Sequence, residues 1–153
     1  MIALGSDHVG NILKDIIMEH LDKAGVSYKD FGYFGDPTNP TDYPIHALAA
    51  ANAVAAGECD KGILFCGTGV GISLAANKVH GIRCVVCTDP YSALMSREHN
   101  DANMLALGTR VVGSELAKMI VDVWLGGKFK GGKHCARVNM IMSIEQTGGI
   151  PTP

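Results

Sequence analysis

Short apolar blocks alternate with helical stripes almost from one end of the chain to the other. IALGS (2–6) reads as a buried strand, and ILKDIIMEHLDKAG (12–25) as an amphipathic helix stopped by Gly25. VSYKDF (26–31) predicts a second strand. A loop rich in Gly, Pro, Asp and Thr covers 32–42, and an alanine-rich helix covers 45–57. KGILFC (61–66) is the third strand, leading through a glycine turn into a helix that runs to about residue 79. IRCVVC (82–87) is the fourth strand, and Asp89-Pro90 opens a helix with proline in its first turn. MLALG (104–108) is the fifth strand, and SELAKMIVDVWLGG (114–127) a helix with a glycine stop.

Five strands alternating with helices predict an α/β fold, a three-layer α/β/α sandwich around a five-stranded parallel sheet. Ligands of such sheets gather at the carboxyl ends of the strands. Here those ends carry Ser6-Asp7-His8, Cys66-Gly67-Thr68-Gly69, Asp89-Pro90 and Gly108-Thr109-Arg110. After the last strand-helix unit, residues 133–146 set Val138, Ile141, Met142 and Glu145 at helical spacing. This extra C-terminal helix is expected to pack on a partner subunit. Residues 1–146 read as one domain and 147–153 as a disordered tail.

Composition narrows the function classes. The 153 residues carry a net charge of −2, and no basic tract recommends nucleic acid or an anionic membrane as partner. No apolar run approaches the ~20 residues that span a bilayer, and the start MIALGSDHVG lacks the features of a secretory signal. A cytoplasmic enzyme or binding domain is expected. Five cysteines, at 59, 66, 84, 87 and 135, form no disulfide framework. Cys84-Val-Val-Cys87 matches CxxC in form, but it lies in a predicted strand, where residues three apart face opposite ways. Both are expected to be packing residues, and the sequence offers no convincing set of zinc ligands.

The stretch LFCGTGVGIS (64–73) carries the chemistry. Strand, glycine turn and helix start together aim backbone N–H groups at one point, where a phosphate, a carboxylate or a developing oxyanion would be stabilised. Such surroundings also lower a neighbouring thiol from about 8.5, which makes thiolate available near neutral pH. The plainer alternative is a turn shaped by glycine with Cys66 merely packed. Dinucleotide binding fails, because the third glycine comes one position early. A phosphate-binding GxxxxGKT loop fails for want of its lysine. A cysteine phosphatase fails because Ile72 stands where the loop-closing arginine belongs. Proton removal beside a carbonyl fits: Cys66 as base, with amides of Gly67 to Gly71 as donors to the enolate oxygen.

Among the histidines, His8 after Asp7 and His99 before Asn100 are candidates, while His20, His46, His80 and His134 read as surface residues. Arg110, with Lys133 and Arg137 one helical turn apart, makes a candidate phosphate clamp. For Lys133 and Arg137 ordinary solvated charge is the competing explanation.

Taken together, SDHVG at the start, TDYP (41–44), ILFCGTGVGISLAANK (63–78), DPYSALMSREHNDANMLALGTRVVG (89–113) and GGKHCARV (131–138) closely resemble ribose-5-phosphate isomerase type B, a family that includes the allose- and galactose-6-phosphate isomerases. The resemblance covers about 3 to 146. It implies a Rossmann-like sandwich, a homodimer or a dimer of dimers with active sites between subunits, and no metal or organic cofactor. It implies the interconversion of D-ribose 5-phosphate and D-ribulose 5-phosphate in the pentose phosphate pathway. Cys66 matches the base that moves a proton between carbons 1 and 2, and Gly67, Gly69, Val70 and Gly71 match the loop holding the enediolate oxygen. Thr68 and His99 match the residues that open the furanose ring, with His99 as proton donor. Asp7, Tyr43 and Asn100 match contacts to sugar hydroxyls, and His8, Arg110, Lys133 and Arg137 match the phosphate site. Lys133 stands where many relatives have arginine. It keeps the charge but loses the planar fork, which would loosen phosphate binding or suit a longer six-carbon substrate. A six-carbon aldose phosphate is thus the first alternative, and a non-catalytic sugar-phosphate-binding module the second.

Overall fold

The computed structural model describes residues 1–36 and 38–150. Its strands are β1 (Ile2–Ser6), β2 (Tyr28–Asp30), β3 (Lys61–Cys66), β4 (Cys84–Val86) and β5 (Met104–Gly108). Its helices are α1 (Asn11–Lys23), α2 (Tyr43–Ala55), α3 (Val70–Ala76), α4 (Pro90–Asn100), α5 (Ser114–Gly126) and α6 (Lys133–Thr147). The strands form one sheet in the order β2-β1-β3-β5-β4, and every pairing is parallel.

Successive side chains of a strand point to opposite faces, and the central strands are apolar on both. Ile2, Leu4, Ile63, Phe65, Leu105 and Leu107 meet Leu13, Ile17 and Leu21 of α1 and Ile120, Val121 and Trp124 of α5. Ala3, Leu64, Cys66, Met104 and Ala106 meet the alanines of α2 and Ile72 and Ala76 of α3. The alanine-rich stretch is therefore a close-packing surface that seats α2 against β1. Cys84 packs in the second of these cores and Cys87 in the first. They face opposite ways as expected, and both thiols are free and buried.

Several predicted elements are trimmed or shifted, each for a local reason. The second and fourth strands shrink to three residues because they lie at the sheet edges, each with one neighbour. The helix after Cys66 stops at Ala76 rather than about 79, since the chain tightens into three-residue turns there. The Asn77 side chain then brackets β4, accepting from Cys84 N and donating to Cys84 O at 2.7 and 2.8 Å. The alanine-rich helix starts earlier, at Tyr43, because Pro44 suits its first turn.

α6 lies outside the sandwich. Val138 is its one buried residue, and Met140, Ile141 and Ile144 are exposed. It meets the body through Glu145, which accepts from Gly81 N at 2.9 Å, and through Met142 beside Arg83. Of the predicted tail, Thr147 ends α6 and Gly148 follows in a left-handed conformation; residues 151–153 lie outside the described residues. No helix among the described residues is long and apolar enough to cross a membrane.

Candidate active site

The strand order reverses direction between β1 and β3, since β2 lies on one side of β1 and the rest of the sheet on the other. A crevice opens outside the carboxyl ends of strands at such a switch point. Asp7 and His8 leave β1 there, Cys66 ends β3, and Thr109 and Arg110 leave β5.

Cys66 is paired in register with Gly108 and faces the α2–α3 side. Its carbonyl accepts from Thr109 N at 2.9 Å, and Gly67 O accepts from Arg110 N at 3.0 Å, which ties the loop to the end of β5. Gly69 takes φ +79, a left-handed conformation that returns the chain toward Cys66. Its N–H then donates to Cys66 Sγ at 3.2 Å, so a negative charge on sulfur meets a donor. Thr68 is exposed, and its hydroxyl accepts from Val70 N at 3.3 Å. Gly71 lies in the first turn of α3, where amides have no partner within the helix. Its missing side chain makes room for Tyr43: a Cβ there would come within 2.7 Å of the phenol ring.

Asp7 is buried, and one carboxylate oxygen accepts from Gly10 N at 2.7 Å. This turn sets His8 beside the loop. Thr41 N donates to His8 Nδ1 at 3.2 Å, so the neutral ring carries its proton on Nε2, a donor available to an anion. His8 and Arg110 line one cavity of about 490 Å³ with Val9, Asn11, Ile12, Asp15 and Thr109. Arg110 approaches the loop itself, as a Cβ on Gly67 would lie 3.8 Å from its guanidinium.

The remaining candidates assemble elsewhere. His99 and Asn100 close α4, just before β5 begins at Met104, whereas Cys66 stands beside the last residue of β5. The four rises of β5 span about 13 Å, so one subunit sets these two groups at opposite ends of that strand. His99 stacks on His134, with centroids 4.2 Å apart and planes 5° from parallel. His134 is thus no free surface residue, because the first turn of α6 lays it on α4. Its pKa is lowered by partial burial and then by the positive field of His99, Lys133, Arg137 and Lys130. Lys133 and Arg137 are exposed on that same turn. Lys130 pairs with Glu98 at 2.5 Å and holds the preceding loop to α4.

His46, also expected on the surface, is half-buried. Its ring lies between Thr41 Oγ1 at 3.0 Å and the Phe31 carbonyl at 3.3 Å. It thereby supports the segment that orients His8. Sequence reasoning misses Thr41, His46 and His134 as neighbours that support the candidate residues; the TDYP and GGKHCARV motifs, which contain two of them, are the available signal.

The sequence model of the family described as Ribose/Galactose Isomerase matches residues 2–141. The chain is 60% identical to ribose-5-phosphate isomerase B of Escherichia coli K12, over 95% of this chain and 96% of that one. Among solved structures, it is similar to the Clostridium thermocellum ribose-5-phosphate isomerase B, with TM-score 0.93, 55% identity, and 97% and 99% of the two chains covered. It is also similar to the Mycoplasma genitalium ribose-5-phosphate isomerase B with bound ribulose-5-phosphate, with TM-score 0.89, 39% identity, and 95% and 96% covered.

Proposed function

Because the chain belongs to the ribose/galactose isomerase family, we propose that the loop around Cys66 and the cluster around His99 are two halves of one active site, brought together between subunits. The chain is an aldose–ketose isomerase of sugar phosphates that interconverts D-ribose 5-phosphate and D-ribulose 5-phosphate.

Ring opening comes first. His99 gives a proton to the ring oxygen as the bond from that oxygen to carbon 1 breaks, and the hydroxyl on carbon 1 loses its proton toward Thr68. The Cys66 thiolate then takes the proton from carbon 2 of the open aldose. The electron pair moves onto the carbonyl oxygen to form an enediolate, held by the loop amides from Gly67 to Gly71. Return of the proton to carbon 1, with the proton of the carbon 2 hydroxyl passing to the carbon 1 oxygen, yields the ketose. Charge developing on oxygen near fixed N–H donors is stabilised without reorganisation. His8 and Arg110 grip the phosphate from one subunit, with Lys133 and Arg137 closing on it from the other. Asp7, Tyr43 and Asn100 orient the sugar hydroxyls.

The observation that carries this reading is the Cys66 thiol, buried at the end of β3 with the Gly69 amide on its sulfur. The homodimer is supported by the exposed apolar residues of α6 and by Ile45, Leu48, Val70 and Leu74 on α2 and α3. Apolar side chains exposed on these helices are suited to burial against a second subunit. The test is conversion of ribose 5-phosphate by the purified protein in the presence of EDTA, alongside Cys66→Ala. Rapid turnover lost in the variant supports the assignment. Activity above a tenth of wild type in Cys66→Ala removes Cys66 as the base. Lys133 either loosens phosphate binding or suits a six-carbon substrate, so allose 6-phosphate and galactose 6-phosphate belong in the same assay. A higher kcat/KM on either would rank six-carbon phosphates first.

A further inference from the structure

The guanidinium of Arg83 is committed almost wholly to the turn that succeeds His99 and Asn100. Its Nε donates to Asn100 O at 3.2 Å and to Asp101 O at 3.0 Å. Its Nη2 donates to Asp101 O at 2.7 Å and to Asp101 Oδ2 at 3.0 Å. The third nitrogen, Nη1, lies 3.4 Å from Met142 Sδ on α6. The backbone of Arg83 is equally anchored. Its N–H donates to Asn103 Oδ1 at 2.8 Å, and its carbonyl accepts from Asn103 N and Met104 N. Both ends of the residue therefore fasten the end of α4 to the sheet.

The fastened turn has an unusual conformation. Asp101 takes φ +47, the one non-glycine residue with positive φ among the described residues. Backbone held in a sparsely populated region persists only where neighbours over-determine it, and such positions cluster at functional sites. Here the over-determination comes from Arg83 and from Arg97, whose Nη1 donates to Ala102 O and to Asp101 Oδ1. The residues immediately before the turn are His99 and Asn100.

We propose that Arg83 is a positioning residue for ring opening: by clamping the Asn100–Asp101 turn it fixes where His99 is presented to the sugar. The inference rests on the proposed role of His99 as ring opener. Arg83 does not touch the substrate. It acts through the backbone that aims His99, and a small misplacement of such a group costs rate rather than binding. A purely structural arginine that satisfies helix-end carbonyls would instead affect every step alike.

The experiment separates the two steps of the reaction. Ribulose 5-phosphate is open-chain, because its carbon 5 oxygen is esterified and cannot close a five-membered ring. Exchange of its carbon 1 hydrogen with D2O therefore reports on Cys66 without ring opening. Arg83→Met is expected to lower kcat on ribose 5-phosphate about 10- to 100-fold with KM little changed, while D2O exchange stays close to wild type. Arg83→Lys, which keeps one donor, should recover part of the loss and carries the same comparison should the methionine variant fold poorly. In a His99→Asn background, Arg83→Met should cost nothing further, as expected of residues acting through one group. Wild-type turnover in Arg83→Met, with His99→Asn impaired, overturns the inference alone. Equal loss of turnover and exchange also overturns it, by showing a general structural role. Full activity in His99→Asn overturns the reading beneath it, and the inference with it.

Discussion

Cys66, Cys84 and Cys87 are all buried, and what separates them is the company of the sulfur. Burial pushes the Cys84 thiol up, helped by neighbouring Cys87. Burial and then the charge of Asp89 push Cys87 up to about 11. At pH 8 both remain protonated and poorly nucleophilic. Peptide mapping after iodoacetamide treatment should find exposed Cys135 modified and Cys84 and Cys87 untouched. In Cys135→Ser, alkylation of Cys66 should track loss of activity, and ribose 5-phosphate should slow both. Labelling of Cys87 ahead of Cys66 would contradict this ordering. For the base itself, Cys66→Ala should lower kcat by roughly 100- to 10,000-fold with an unchanged melting temperature. Arg137→Ala should act differently, raising KM several-fold with kcat nearly intact; an unchanged KM would take Arg137 out of the phosphate site.

α4 shows how an element serves the site from a distance, since His99 lies at one end and Asp89 caps the other. Asp89 Oδ1 accepts from Ser92 N at 2.7 Å, and hydrogen bonds from Ser92 backbone and side chain hold its carboxyl below the usual carboxylate range. A carboxyl lowered in the folded state stabilises it above the ordinary carboxylate pKa, and this contribution fades as pH falls through the lowered value. Urea unfolding should therefore show Asp89→Ala destabilised at pH 7, with the difference from wild type shrinking toward pH 3. A constant difference across that range would remove the charge from the explanation. The type and order of all eleven elements among the described residues could be read from apolar spacing and glycine stops, because both faces of the central strands are covered. Their ends could not. The stop of α3 depends on Asn77 bracketing β4, and the start of α2 on which residue precedes a proline. The loop at Cys66 was legible because a thiol, glycines and a strand end coincide within a few residues. His134 and Arg83 were not, since each acts through a residue distant in sequence.

At the scale of the molecule, the two clusters at opposite ends of the strands make a direct test of assembly possible. Cys66→Ala and His99→Asn should each be strongly impaired alone. Mixed, unfolded and refolded together, they should form hybrid dimers in which one site draws Cys66 and His99 from the two intact sources. Random pairing makes half the dimers hybrid with one working site each, so about a quarter of wild-type activity should return. No recovery, with hybrid dimers shown by mass spectrometry, would put both groups in one subunit.

The sheet edges carry a further consequence. Both outer strands, β2 and β4, are three residues long, whereas the strands between them hold the segments IALGS, KGILFC and MLALG. Those interior segments are apolar and nearly free of charge, a composition that favours stacking when it finds an open backbone ladder. Short borders give an incoming strand few bonds to form. While the borders hold, the protein resists templated polymerisation; fraying them by heat or mutation should produce fibrillar aggregates seeded by its own innermost strands.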